Sequence, residues 1–274
     1  MFCNYHLDPS LKGKDTRNLL QSASAGGNVA IIETMLSRGF DINSEDSDGN
    51  TSLMIAALSG KVEAVNYLLD KGADLSLKNK YGRNLLHSAS EGGNLAIIET
   101  MLSRGLDINS EDSDGNSSLM IAALSGKVEA VNYLLDKGAD LSLKDKCGRN
   151  LLHSASECGN VAIIEAMLSR GLDINSKDSN GKTPLMIAAL LGKMESVNYL
   201  LDKGADLSLK DKNGGNPLHS ASVGGNVPII ETMVSRGLDI NSKDTYGNTS
   251  LMIAVLLGKM EAVNYLLAKG QICL

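Results

Sequence analysis

Residues 51–78 read TSLMIAALSGKVEAVNYLLDKGADLSLK, and residues 117–144 repeat this stretch with Ser117 in place of Thr51. The two copies are 66 residues apart, but the repeating unit is half as long. A glycine recurs every 33 residues, as Gly49, Gly82, Gly115, Gly148, Gly181, Gly214 and Gly247. A fixed period of this length is typical of repeat architectures, in which each short unit buries its apolar face against its neighbours.

The period divides the chain into seven full units and one incomplete unit. Their boundaries are 16–48, 49–81, 82–114, 115–147, 148–180, 181–213, 214–246 and the incomplete 247–274. Residues 1–15 match a later turn, since Asp8 and Ser10 correspond to Asp140 and Ser142. We therefore expect a truncated remnant of a preceding repeat there. Neither end shows a specialised polar cap, which predicts either a fragment of a longer array or ends that pair with something.

Each unit predicts two helices followed by a turn. The first helix is expected to begin after a polar capping residue, namely Asn18, Thr51, Asn84, Ser117, Asn150, Thr183, Asn216 or Thr249. In the second unit this helix covers Leu53–Leu58, and the next runs from about Val62 to Lys71 and ends at Gly72. Residues 74–77 are expected to form a brief extended stretch before a polar turn.

The units resemble the ankyrin repeat family. The closest matches are residues 181–189, GKTPLMIAA, and residues 200–206, LLDKGAD, and the resemblance covers residues 16–274. It implies an all-α ankyrin-repeat solenoid of stacked helix-turn-helix units with β-turn or hairpin fingers. Two departures concern local rigidity only. Methionine stands where the family usually has His, at Met54, Met120, Met186 and Met252, and most units lack the family's proline, as at Ser52 and Leu85.

Composition argues against several other classes. The net charge of −6 is unsuited to nucleic acid, which requires a basic surface. The first ten residues do not resemble a signal peptide, and no apolar run reaches the ~18 residues that would span a membrane. The cysteines show no zinc or disulfide spacing; they are Cys3, Cys147, Cys158 and Cys273. We expect a cytoplasmic protein without membrane insertion, monomeric unless its uncapped ends associate.

No catalytic, cofactor-binding or metal site is predicted. His87, His153 and His219 are 66 residues apart, so one metal ion cannot bridge units that stack ~20 Å apart. The resemblance instead implies a structural hydrogen-bonding role for these side chains. Residues 181–183, GKT, lack the first glycine of a phosphate-binding loop, and the acidic residues 45–48 lack the ligand spacing of a calcium loop. The chain is therefore not expected to be an enzyme.

Positions that differ between units are candidates for recognition. One column precedes the recurring glycine and includes Tyr81, Cys147 and Tyr246; the resemblance places it at the fingertips on the concave side. Drift in an exposed turn would produce the same variation. A second set lies late in the first helices and predicts an apolar patch, unless neighbouring turns partly bury it. The candidate partner-binding residues are Tyr81, Arg83, Cys147, Arg149, Leu190, Leu191, Val223, Tyr246, Leu256 and Leu257.

Two further patterns concern the turns. The net charge of successive fingers alternates, from Glu45, Asp46 and Asp48 to Lys78, Lys80 and Arg83, which favours attraction between neighbours or a bipolar partner. Asparagine follows Asp-Ile in alternate units. By resemblance it is a candidate for hydroxylation, with hydrogen bonding of the turn as the alternative; the residues are Asn43, Asn109, Asn175 and Asn241.

The sequence favours a scaffold that binds a partner protein or peptide on the concave face of an ankyrin array. One alternative is an ankyrin segment of a larger multidomain protein, such as a channel, an enzyme or a ubiquitin-ligase adaptor. The other is a purely structural spacer.

Overall fold

The computed structural model describes residues 17–271, which contain sixteen helices and belong to two compact units, with the division of the chain between Asp140 and Leu141. The first unit contains α1 (Leu19–Gly26), α2 (Val29–Ser37), α3 (Ser52–Leu58), α4 (Val62–Asp70), α5 (Leu85–Gly92), α6 (Leu95–Ser103), α7 (Ser118–Leu124) and α8 (Val128–Asp136). The second contains α9 (Leu151–Cys158), α10 (Val161–Ser169), α11 (Pro184–Leu190), α12 (Met194–Asp202), α13 (Pro217–Gly224), α14 (Val227–Ser235), α15 (Ser250–Leu256) and α16 (Met260–Gln271). The expected remnant at 1–15 and the last residues of the unit 247–274 lie outside the described residues.

Within each compact unit the helices stack in two layers. In the first, α1, α3, α5 and α7 pack side by side, and each contacts the second helix of its own pair. The second compact unit repeats this arrangement with α9, α11, α13 and α15. The all-α prediction is confirmed. Across residues 17–271, no helix is long and apolar enough to cross a membrane.

The first helices begin as the capping residues predict. All eight expected N-cap residues occupy that position with extended backbone, and the side chain of each accepts a hydrogen bond from the first turn. The helices of the second repeat are confirmed to within one residue at each end, since α3 begins at Ser52 and α4 ends at Asp70. Gly72 has a φ of 88°, the left-handed conformation that a helix C-terminus favours.

The expected extended stretch at residues 74–77 is wrong. Leu75 and Ser76 lie in a turn, because the carboxylate of Asp74 accepts hydrogen bonds from the backbone N–H of Ser76 at 2.8 Å and from its hydroxyl at 2.7 Å. An aspartate that bonds the backbone two residues later competes with extended structure. Extended pairing among the described residues is limited to isolated antiparallel bridges, Glu45 with Thr51 and Glu111 with Ser117.

Two kinds of repeat alternate along the chain. Asparagine-capped repeats begin their first helix after Asn18, Asn84, Asn150 or Asn216, and hydroxyl-capped repeats begin it after Thr51, Ser117, Thr183 or Thr249. The methionine that departs from the family pattern belongs to the hydroxyl-capped repeats. It is buried at Met54, Met120 and Met186, so it serves as apolar core.

The two repeat types meet through different close contacts. Where a hydroxyl-capped repeat follows an asparagine-capped one, a lysine stem covers a glycine. A Cβ on Gly27 would lie 2.8 Å from Cδ of Lys61. In the opposite order, the first helix of the asparagine-capped repeat packs against backbone. A Cβ on Gly92 would lie 2.5 Å from the carbonyl oxygen of Leu58, and Gly224 meets the carbonyl of Leu190 in the same way.

Gly92→Ala is expected to destabilise the protein by about 1–3 kcal/mol, because the new methyl group would push α5 away from α3. Gly26→Ala is the matched control. Gly26 is the corresponding residue of the first repeat, and a Cβ there meets nothing within 4 Å. We expect this control to be neutral or slightly stabilising. Urea unfolding followed by circular dichroism measures both, and equal stability of the two variants would contradict the packing argument.

Three hydroxyl-capped repeats begin their first helix with a buried serine. The hydroxyls of Ser52, Ser118 and Ser250 have no hydrogen-bond partner among the described residues. In the repeat at 181–213 the same position holds Pro184, and the preceding Thr183 has φ −91° and ψ 163°. Thr51 already has nearly the same backbone, with φ −83° and ψ 165°. Proline is favoured at the first helical position.

Ser52→Pro is therefore expected to stabilise the protein by about 0.5–1 kcal/mol. Ser52→Ala separates the two causes, because it removes the unpaired hydroxyl without restricting the backbone, and we expect a smaller gain from it. Thermal unfolding of both variants beside the wild type measures the effect. A lower melting temperature for Ser52→Pro than for Ser52→Ala would contradict the prediction.

Candidate partner-binding surface

A side-chain oxygen of aspartate, or of asparagine at residue 79, accepts backbone hydrogen bonds inside each finger. Oδ1 of Asp145 accepts hydrogen bonds from the backbone N–H groups of Cys147 at 2.9 Å and Arg149 at 2.8 Å. The same pair of bonds, to the second and fourth residues further on, recurs at Asp46, Asn79, Asp112, Asp178, Asp211 and Asp244. Within residues 17–271, no group of three or more candidate ligands could hold a metal ion. Asp46 thus acts as a turn-forming residue.

The fingertips are joined by backbone hydrogen bonds. The N–H of Ser179 donates to the carbonyl of Cys147 at 2.8 Å. Equivalent bonds run from Lys80 to Asp48, from Ser113 to Tyr81, from Lys212 to Asn180 and from Thr245 to Asn213. The fingertip residue takes part through its carbonyl, so these bonds do not depend on its side chain. Tyr81 is 52% exposed and Tyr246 is 74% exposed. This independence explains why the fingertip column tolerates variation.

The three histidines hold neighbouring repeats together. Nε2–H of His87 donates to the carbonyl of Asn116 at 3.1 Å, and Nδ1 accepts the backbone N–H of Asn84 at 3.2 Å. His153 bonds Lys182 in the same way, and His219 bonds Asn248. In the first repeat Gln21 takes this place, since its side-chain amide donates to the equivalent carbonyl of Asn50 at 3.4 Å and also to that of Ser44 at 2.9 Å. The structural role predicted for these histidines is confirmed.

Burial lowers the pKa of His87 and of His153, despite the opposing effect of the hydrogen bond that each makes to a backbone carbonyl. The folded state therefore holds both imidazoles neutral, whereas the unfolded chain protonates them near pH 6.5. Below that pH the unfolded state binds more protons, so stability falls as the pH decreases towards the lowered pKa values.

We expect the wild type to lose stability between pH 7 and pH 5, and the double variant His87→Gln/His153→Gln to lose less. Glutamine is the matched replacement, because Gln21 accepts the N–H of Asn18 and donates to the carbonyl of Asn50, the two equivalent bonds, without titrating. Urea unfolding at the two pH values measures the difference. An unchanged pH dependence in the double variant would show that other groups cause it.

In the first compact unit, Tyr81 and Arg83 line one depression of about 150 Å³ beside the ends of the first helices. Leu58 forms part of its apolar floor and is 40% exposed. Arg83 is held by two carboxylates, Glu91 at 3.1 Å and Asp112 at 3.3 Å. The bond to Asp112 connects neighbouring fingers of opposite charge, as the alternation of charge predicts.

In the second compact unit, four candidate residues line one depression of about 330 Å³. They are Cys147, Arg149, Leu190 and Leu191. The thiol of Cys147 is free and exposed. Arg149 bonds Asp145 at 2.7 Å and Glu157 at 2.8 Å. Burial alone would lower the pKa of Arg149, but the hydrogen bond and negative charge of Asp145, with the charge of Glu157, raise it above its ordinary value.

The remaining candidates lie on two surfaces. Val223 and Tyr246 line a depression of about 210 Å³ that also includes Leu190 and Ile253. Leu256 is 82% exposed and lines an apolar depression of about 460 Å³ with Met252 and Val255, and Leu257 is exposed as well. The structure thus brings Leu190 together with Leu191 in one depression and with Val223 in the next.

Sequence reasoning missed the ion pairs of Arg83 with Glu91 and of Arg149 with Glu157. It counted both arginines in the alternating charge of the fingers and as recognition residues, but it connected neither of them with a glutamate. A signal was present, because arginine and glutamate eight residues apart occur together at 83/91 and 149/157, and neither occurs at 215/223. The first repeat departs from this pattern, since Arg17 is accompanied there by Ala25. Joint presence in two repeats and joint absence in a third favour a contact between the two positions.

The candidate asparagines connect successive repeats. Oδ1 of Asn43 accepts the backbone N–H of Asp74 at 3.0 Å, Asn109 bonds Asp140 at 2.8 Å, and Asn175 bonds Asp206 at 2.9 Å. The turn-bonding role is therefore present at these three positions. Asn241 is exposed. Hydroxylation of the four residues stays a prediction.

Stacked helix pairs, connected by turns that aspartate side chains close, define a helical repeat protein. The family model described as ankyrin repeats (3 copies) matches residues 2–79, 72–145, 119–211 and 203–273. The chain therefore belongs to the ankyrin repeat family, as the sequence resemblance implies. A search of curated proteins found no match to the chain. Ankyrin repeats are a non-catalytic family that generally serves in protein–protein interaction.

Proposed function

We propose that this chain is a scaffold that binds a partner protein or peptide along its fingertips and the ends of its first helices. The observation that carries the proposal is that the groups that hold each finger in shape are different from the side chain that the finger exposes. The carboxylate of residues such as Asp145 and the backbone ladder fix the turn, while the fingertip side chain stays exposed. Rigid support beneath variable side chains suits recognition of another protein.

The lining of the depressions supports the same function. Leu191 is exposed beside Leu190 and Ile187, with charged residues such as Arg149 and Lys182 at the rim. An apolar floor with a polar rim is typical of protein interfaces. Exposed tyrosines add rigid amphipathic anchors, and such residues often contribute most of the binding free energy. A spacer would have no need of this arrangement.

The test is capture of partners from source lysate by the wild type and by Leu191→Glu/Tyr246→Ala. Both residues are exposed, so folding should be preserved, and circular dichroism checks it. The matched control is Asn198→Ala/Asn264→Ala, which changes two exposed residues on the second helices α12 and α16. We expect the wild type and the control to hold a partner with equal affinity. The Leu191→Glu/Tyr246→Ala variant should bind it at least tenfold more weakly, which corresponds to a loss of about 1.4 kcal/mol of binding free energy.

Equal capture by all three proteins would show that the binding site lies away from the fingertips and the first helices. Loss in the control alone would place it on the second helices. Absence of any captured protein would favour the structural spacer.

A further inference from the structure

Two of the four asparagine-capped repeats contain an ion pair between arginine and glutamate, and the repeat at 214–246 lacks both residues; the repeat at 16–48 has Arg17 but Ala25 in place of the glutamate. Arg83 pairs with Glu91 and Arg149 with Glu157, but the corresponding residues of the repeat at 214–246 are Gly215 and Val223. The arginine and the glutamate are thus replaced together, by no side chain and by an apolar one. The depression of about 210 Å³ lies at this place.

The carboxylates that would hold a guanidinium are still present. Asp211 occupies the position of Asp145, which bonds Arg149, and Asp244 occupies the position of Asp112, which bonds Arg83. Both line the depression. A Cβ on Gly215 would lie 3.2 Å from both carboxylate oxygens of Asp211, so the missing side chain would start beside its acceptor.

One carboxylate oxygen of Asp211 accepts no hydrogen bond from the described residues. Its Oδ1 accepts the backbone N–H groups of Asn213 at 2.9 Å and Gly215 at 2.8 Å, as in every finger. Its Oδ2 has no hydrogen bond or ion pair with any residue in 17–271. In Asp145 the same oxygen takes Nε of Arg149 at 2.7 Å. A carboxylate oxygen that an arginine occupies in the sister repeat is therefore available to an outside donor.

The other walls suit the stem of a long cationic side chain. Leu190, Val223 and Ile253 supply apolar contact, and Tyr246 lies at the same depression with its side chain largely exposed. Arginine stems pack on apolar surface and their guanidinium groups bind aromatic faces. Lys182 is the one lysine or arginine that lines the depression. It forms no ion pair with either aspartate within the described residues.

We propose that the depression between Asp211, Asp244, Val223 and Tyr246 is a subsite for an arginine side chain of the partner, which supplies from outside the guanidinium that Arg83 and Arg149 supply from within. This rests on the proposed function, since it names one side chain that the partner presents. Arginine fits better than lysine, because its planar fork can donate to two carboxylates at once.

The test is a titration of the ¹⁵N-labelled full chain with N-acetyl-arginine amide, followed through the amide resonances of Asn213, Gly215 and Tyr246. N-acetyl-citrulline amide is the matched probe, because it has nearly the same shape without the charge. We expect saturable shifts with the arginine probe and at least about tenfold weaker binding of citrulline, since hydrogen bonds to charged groups contribute more than neutral ones.

Two variants locate the site. Gly215→Arg/Val223→Glu rebuilds the internal ion pair and should abolish the shifts, with circular dichroism confirming the fold. Arg149→Gly/Glu157→Val introduces the residues of positions 215 and 223 into the preceding asparagine-capped repeat. With the arginine probe, this variant should show additional shifts of amide resonances near Cys147. Lys182→Gln should tighten binding of the arginine probe, because it removes a like charge.

Equal shifts with citrulline, or no saturable shifts in either the wild type or the opened variant, would overturn the proposal. The result is independent of lysate capture. A partner held through Leu191 without an arginine preference would leave the scaffold function standing and remove this subsite.

Discussion

The hydrogen bond from the first helix of each asparagine-capped repeat to a carbonyl of the following repeat is the contact on which the candidate surface depends, with methionine at the same position of the hydroxyl-capped repeats. His87 illustrates the geometry. It completes the capping box of its own helix with Asn84 and reaches the carbonyl of Asn116 twenty-nine residues on. One side chain thereby fixes the start of a helix and the base of the next finger. Because a helix pair cannot bury its apolar face alone, this contact also sets the spacing at which neighbouring faces meet.

The candidate surface depends on how this contact places neighbouring repeats. Once the base of a finger is fixed, an aspartate closes the turn and the backbone ladder connects it to its neighbour. Neither interaction uses the fingertip side chain, so tyrosine, cysteine and asparagine can stand at the same position. The depressions lie where these tips approach the first-helix ends. The polarity of each depression then depends on two positions that lie eight residues apart in the repeat. Arg149 and Glu157 fill them with an ion pair, whereas Gly215 and Val223 leave the depression without one.

The sequence predicted well what depends on local chemistry. The 33-residue period, the eight capping residues and the helix bounds of the second repeat follow from side chains that act on their own backbone. The same reasoning failed at residues 74–77, where the expected extended stretch left out of account the hydrogen bond between Asp74 and the backbone of Ser76. The ion pairs of Arg83 and Arg149 were missed for another reason. Glu91 and Glu157 lie eight residues from their arginines, a spacing that no helical or strand period connects, and Asp112 lies in another finger. Asp145 is the exception, four residues before Arg149.

The alternation of repeat types limits how such a chain can change its length. A lysine stem on glycine joins one kind of neighbour. A glycine against a carbonyl joins the other at Gly92 and Gly224, and Cys158 stands at the same position in the repeat 148–180. Removal of one 33-residue unit would place two repeats of the same type together, a junction that the described residues do not contain. Removal or duplication of two consecutive units would keep both kinds of junction. A step of two units, 66 residues, is also the distance that separates the two nearly identical segments at 51–78 and 117–144.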